Sequence, residues 1–279
     1  MESRELPSGS VLSVRDVTVR FGGITALDGV SIEASTGAVV GVIGPNGAGK
    51  TTLFNLICGF ITPESGTIHW RGRQLTPVRP DRLASLGIAR TLQGVGLFER
   101  LTVLENVIVG AERFRRARLL SALLALPRSD RDEAALRDRA ETALRKVGCD
   151  NIADRIPGSL PYAVQKRVAL ARALASEPEL LLLDEPAGGL DRGELDELAE
   201  LIVSLGKSIA VMLVDHHMDL VTSVCDRIVV LDFGRVIAQG GPAEVRQDPR
   251  VLEAYLGRDA AEESGDEPAL PTGSGDARG

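Results

Sequence analysis

The run GPNGAGKTT at residues 44–52 constrains this chain more than any other feature. It has the spacing G-x-x-x-x-G-K-[ST], with Gly44, Gly49, Lys50 and Thr51 at the fixed places. Glycines there let successive backbone N–H groups turn inward around a phosphate with no Cβ in the way. The lysine reaches the β- and γ-phosphates, and the threonine hydroxyl can ligate Mg²⁺. The flanks fit that chemistry. Residues 38–43 (AVVGVI) read as a buried strand, and TLFNLI at 52–57 as the helix whose N-terminus faces the anion. A glycine-rich turn alone would leave both flanks unexplained.

Composition narrows the class. The 279 residues are 44% apolar and carry a net charge of −7, enough for a well-buried core. Residues 258–279 hold six acids against Arg258 and Arg278, so the body is near neutral. A near-neutral body with 3% aromatic residues argues against nucleic acid as a partner. Cys58, Cys149 and Cys225 have no metal-like or disulfide-like spacing and read as buried thiols in a reducing compartment. The longest apolar runs, such as 119–126, fall far short of a membrane helix. MESRELPSGS has no apolar signal core, so a cytoplasmic protein is expected. Any work at a membrane would pass through a partner.

Organisation follows from pattern. Residues 1–9 read as a flexible leader. Residues 11–43 alternate apolar and polar, which suggests strands. Residues 67–70 read as a strand and 82–86 as a short helix. Residues 102–147 are rich in Leu, Ala, Glu and Arg at helical spacing, broken at Pro127, and predict two or three helices. LLLLD (180–184), SIAVMLV (208–214) and DRIVVLD (226–232) alternate with helical stretches, the pattern of a parallel α/β sheet. Residues 242–256 read as a helical end, and 258–279 as a disordered acidic tail.

LLLLD delivers Asp184 to the sheet's C-terminal edge, where a carboxylate can hold Mg²⁺. Glu185 follows on the opposite side of the backbone, placed to polarise a water. In VMLVDHHMDLV (211–221), His216 or His217 lies at a strand tip, where a histidine can contact a γ-phosphate. Gln93 closes a short strand before the helical segment and is placed to touch Mg²⁺. Phe21 sits upstream of the loop, where its ring either stacks on a purine or packs in the core.

Together these residues resemble the ATP-binding subunits of ABC transporters, and more narrowly those of branched-chain amino acid importers. The resemblance covers about 11–257, and GIARTLQ (87–93) with LFERLTVLENV (97–107) points to the subunit with the longer helical insert. It implies an α/β fold: a P-loop NTPase core with an N-terminal antiparallel β subdomain and a helical subdomain at about 94–177, all within 10–257. It implies an ATPase that takes ATP and Mg²⁺. Gly44, Pro45, Asn46, Gly47, Ala48, Gly49, Lys50, Thr51 and Thr52 would hold the phosphates, and Phe21 the adenine. Thr51, Gln93 and Asp184 would serve Mg²⁺, with Glu185 as catalytic glutamate, His216 as switch histidine and Gln93 as the mobile glutamine. Asp191 would contact the second subunit. The implied partners are a second ATPase subunit, integral-membrane permeases and, indirectly, an extracytoplasmic solute-binding protein. The implied location is the inner face of the cell membrane.

One element departs. The family's LSGGQ signature, which caps ATP held by the opposite subunit, stands here as Leu160, Pro161, Tyr162, Ala163 and Val164. Pro161 removes a hydroxyl and an N–H donor. Ala163 adds a Cβ expected near the phosphate. Losing one charge-assisted hydrogen bond weakens a closed state by about 1.5–3 kcal/mol. This predicts a heterodimer with unequal sites. The alternatives are a regulatory, weakly hydrolysing subunit, or a non-transport ABC ATPase. A GTPase is disfavoured because N-K-x-D is missing.

Overall fold

The computed structural model describes residues 10–75, 78–91, 94–115 and 127–255, with side chains in the last segment described from residue 131. The leader at 1–9, Gln93, the 119–126 run and the 258–279 tail lie outside the described residues.

Two sheets are present. The first is antiparallel, order β2-β1-β4-β5, from Ser10–Phe21 (β1), Ile24–Ser35 (β2), Ser65–Trp70 (β4) and Arg73–Leu75 (β5). The second has the order β10-β9-β3-β8-β7-β6. It is built from Val39–Ile43 (β3), Ile88–Arg90 (β6), Leu180–Asp184 (β7), Ala210–Val214 (β8), Arg227–Asp232 (β9) and Arg235–Gly240 (β10). Five of these strands run parallel; only β10 is antiparallel to its neighbour.

Every residue of β3, β7 and β8 is buried, as both faces of a covered parallel sheet require. Alternate residues serve different cores. Val39, Leu181, Leu183, Val211 and Leu213 join the core under the helices, while Val40, Leu180, Leu182 and Met212 join the core under the antiparallel sheet. Each such leucine stabilises the fold by about 1.5–3 kcal/mol. A one-residue slip would exchange the two sets.

The helices are Lys50–Ile57 (α1), Leu83–Leu86 (α2), Val103–Gly110 (α3), Pro127–Lys146 (α4), Tyr162–Leu174 (α5), Arg192–Gly206 (α6), Met218–Val224 (α7), Pro242–Gln247 (α8) and residues 249–255 (α9). The helix α4 is described from Pro127. The three predicted sheet strands are found, and 210–214 is shorter than predicted because Ser208 and Ile209 close the turn from α6. No helix among the described residues is long and apolar enough to cross a membrane.

Candidate functional site

The parallel register lines up the strand ends that carry the motifs. Val42 and Asp184 both lie beside Val214. The loop after β3, the Asp184–Glu185 pair after β7 and residues 215–217 after β8 therefore meet at one C-terminal edge, where such sheets bind ligands.

The 44–52 loop is fixed from behind and open in front. Gly44, Gly47 and Gly49 have φ of 149, 79 and 102°, conformations that suit glycine. A Cβ at Gly44 would collide with the Leu231 carbonyl oxygen, and one at Gly49 with that of Ala26. Gly47 differs: nothing lies within 4 Å of its missing Cβ. The Gly234 N–H donates to the Ala48 carbonyl at 3.1 Å, and the Ala48 N–H to that of Pro45 at 3.1 Å. Lys50 is buried, its Nζ donating to the carbonyls of Gly44 (2.6 Å) and Pro45 (2.9 Å). Asn46 and Thr51 are exposed and Thr52 half-buried. Gly49 caps α1 with no side-chain acceptor, so the helix's first N–H groups face the loop.

Asp184 is buried and bonded in a way the sequence reading missed. Arg90, at the end of β6, donates from one guanidinium nitrogen to Asp184 Oδ2 at 2.6 Å and from the other to Asn55 Oδ1 at 2.7 Å. Asn55 stands one helical turn beyond Thr51 on α1, so the pair ties the loop's helix to the β7 carboxylate. Burial opposes the Arg90 charge, yet hydrogen bonding to Asp184 and the neighbouring Cys58 and Asp184 charges outweigh it, raising the guanidinium pKa. A readable signal was there: an arginine ending a strand that must pair with the all-apolar LLLLD.

Glu185 lies just past the strand, with φ 47° rather than the extended conformation assumed for it. Its N–H donates to the Val214 carbonyl at 2.8 Å. Asp215, also unread in the sequence, is fully buried. Its Oδ2 accepts from the Ala187 N–H at 2.9 Å, and its Oδ1 from the N–H groups of His216 (2.8 Å) and His217 (3.0 Å). One carboxylate thus joins the loop after Glu185 to the histidine pair. His216 is exposed, with Nδ1 3.8 Å from Asp215. His217 is tighter, Nδ1 to Oδ1 2.7 Å.

The LPYAV segment leads into α5. Leu160 is buried, and Pro161 is the N-cap, which offers no side-chain hydrogen bond. Tyr162 is exposed, its ring so near Gly189 that a Cβ there would lie 2.9 Å from it. Ala163 is buried and, with Lys166, Leu170, Leu183, Glu185 and Pro186, lines a cavity of about 50 Å³. Its methyl packs against this chain's own residues. Val164 is half-buried and packs on the helix-side core. Lys166 Nζ donates to the carbonyl of Pro186 (2.8 Å) and more weakly to that of Glu185 (3.4 Å), and stands 5.4 Å from the Tyr162 ring. Burial pulls its pKa down, against Asp215 and Glu185. Asp191 accepts from the Glu194 N–H at 2.9 Å, and Glu194 returns the bond, a capping box on α6. Phe21 ends β1 about half exposed, which removes the simple core-packing alternative.

The profile described as ABC transporter matches residues 27–188, and that described as branched-chain amino acid ATP-binding cassette transporter matches 235–261. The chain is 41% identical over 252 residues to the high-affinity branched-chain amino acid transport ATP-binding protein LivG of Salmonella typhimurium, covering 90% of this chain and 99% of LivG. The crystal structure of the ADP conformation of MJ1267, an ATP-binding cassette of an ABC transporter, superposes with a TM-score of 0.77 at 31% identity, over 89% of this chain and 99% of that one. The dimeric post-hydrolysis state of the cassette MJ0796 bound to ADP and Pi gives 0.68 at 26%, over 83% and 98%.

Proposed function

The chain belongs to the ABC transporter ATP-binding family and is one of its ATP-hydrolysing subunits, and from that premise we propose that it drives import of branched-chain amino acids or related small polar solutes. The name of the LivG relative and the match at 235–261 support the solute class. The MJ0796 dimer supports action as a pair of ATPase subunits. The helices described within 94–177 dock on membrane permeases at the cytoplasmic face, and the permeases with an extracytoplasmic binding protein select the solute.

One observation carries the mechanistic reading: the strand ends are tied by two hydrogen-bonded chains, Asn55–Arg90–Asp184 on one side and Ala187–Asp215–His216 on the other. The loop N–H groups and Lys50 hold the β- and γ-phosphates, with Gly47 giving the close approach. Phe21 stacks on the adenine. Glu185 polarises the attacking water, His216 contacts the γ-phosphate, and Gln93 would serve Mg²⁺ when it is bound and move with the helical subdomain. The Thr51 hydroxyl and Asp184 carboxylate are the hard oxygen donors Mg²⁺ takes, and Asp184 already holds one cation, the Arg90 guanidinium. When bound, Mg²⁺ neutralises charge on the phosphate oxygens. LPYAV addresses ATP on the other subunit, and Asp191 lies at that interface.

The test is light scattering on Glu185→Gln, with and without Mg²⁺–ATP. Dimerisation with ATP alone supports a homodimeric motor. A monomer that still binds ATP shows a deficient signature and directs the search to a second ATPase as heterodimer partner. Undiminished hydrolysis by this variant would remove Glu185 from the mechanism.

A further inference from the structure

The chain has three histidines, and two of them, His216 and His217, stand side by side over a fully buried carboxylate. Their rings lie 4.2 Å apart, tilted by 38°. Donor atoms of Asp215, His216 and His217 all fall within 4.8 Å of one another. Neither ring is sealed in: the side chains are 57% and 36% exposed.

Both Asp215 oxygens already accept backbone N–H groups, so the short bond to His217 Nδ1 places the proton on the ring. That tautomer leaves Nε2 of His217 with its lone pair outward. A carboxylate gripping the far nitrogen of a metal-binding histidine is the usual outer arrangement: it fixes the ring and raises its basicity. The donor nitrogens of two imidazoles on one tetrahedral ion lie about 3.3 Å apart, given metal–nitrogen bonds of about 2.0–2.1 Å. Donor atoms already within 4.8 Å and an exposed His216 side chain leave that spacing within reach of a rotamer change. Imidazole donors with water completing the shell suit Zn²⁺ and its neighbours rather than Mg²⁺.

We propose that His216 and His217, backed by Asp215, form a Zn²⁺-class metal site, and that its occupation holds His216 out of the nucleotide site. The second half rests on the role given to His216 above. Metal and nucleotide then compete for one side chain, so each weakens the other by the same factor. The rest of the chain offers little rival chemistry: the third histidine, His69, is on β4 of the other sheet, and all three cysteines are buried.

The test titrates ZnCl₂ into the nucleotide-free full chain by calorimetry, then follows ATPase activity at excess Mg²⁺–ATP as ZnCl₂ rises. Wild type should bind one ion per chain. His217→Gln should weaken binding at least tenfold and raise the half-inhibitory Zn²⁺ at least tenfold, with inhibition read against the variant's own activity without Zn²⁺. His216→Ala removes the other ligand and must also weaken binding, a readout that needs no activity. Equal Zn²⁺ affinity in wild type and both variants overturns the site. Binding that follows the histidines while ATPase ignores Zn²⁺ overturns the gating. Full ATPase activity in His216→Ala would instead sink the catalytic reading and leave the binding result standing.

Discussion

Of the helices here, α1 after the 44–52 loop and α5 after LPYAV are among those that begin without a side-chain cap, whereas α3 and α6 open on full capping boxes at Thr102 and Asp191. An uncapped start leaves N–H groups for an anion. The two ends differ in how they are made. The first rests on backbone: left-handed glycines wedged against Leu231 and Ala26, with a lysine folded inside. The second uses ordinary backbone angles, −105, 148° at Leu160 and −55, 151° at Pro161, and any recognition there falls to side chains. The first kind admits no side chain at Gly44 or Gly49; the second can lose its side chains and keep its helix. That explains how LPYAV departs from LSGGQ while α5 stays in place.

The comparison sharpens most at Arg90. Arg90→Met leaves Asp184 buried without its cation, at a cost of about 3–5 kcal/mol. Thermal denaturation should show this loss in the free protein and a smaller one with Mg²⁺–ATP, because a second cation then serves Asp184. An equal loss in both states would separate Arg90 from the nucleotide site. Next is Lys50→Ala, which should lower kcat by about 10²–10³-fold, in line with removing one preorganised donor. A fall under threefold would break the claim that the first helix end is the anion cradle. The smallest effect belongs to the second end. Pro161→Ser with Val164→Gln returns two polar side chains and should tighten the ATP-dependent dimer by about 1.5–3 kcal/mol, read from the concentration dependence of light scattering on the Glu185→Gln background. No change would mean that backbone alone carries α5's part.

The sheet and its motif ends were legible because apolar runs closed by a carboxylate or a glycine loop have few readings. LLLLD specified both a strand and the residue at its tip. What stayed hidden were partners distant in sequence. Arg90 and Asp184 are 94 residues apart and Ala187 and Asp215 28 apart, and nothing local to either couple announces the bond. The burial of Ala163 was hidden for a related reason: which way a short side chain faces at a helix start is settled by what packs beneath it. Gln93 falls outside the described residues, so its reading stays a proposal.

Lys166 ties the second helix end to the loop after β7. It rises from the helix that LPYAV opens and holds the carbonyls of Glu185 and Pro186, while Tyr162 leans on Gly189. In the sandwich of two subunits proposed above, those groups would face different ATP molecules. A single ammonium would then work like an axle between two wheels, tying the segment that addresses one nucleotide to the loop that serves the other.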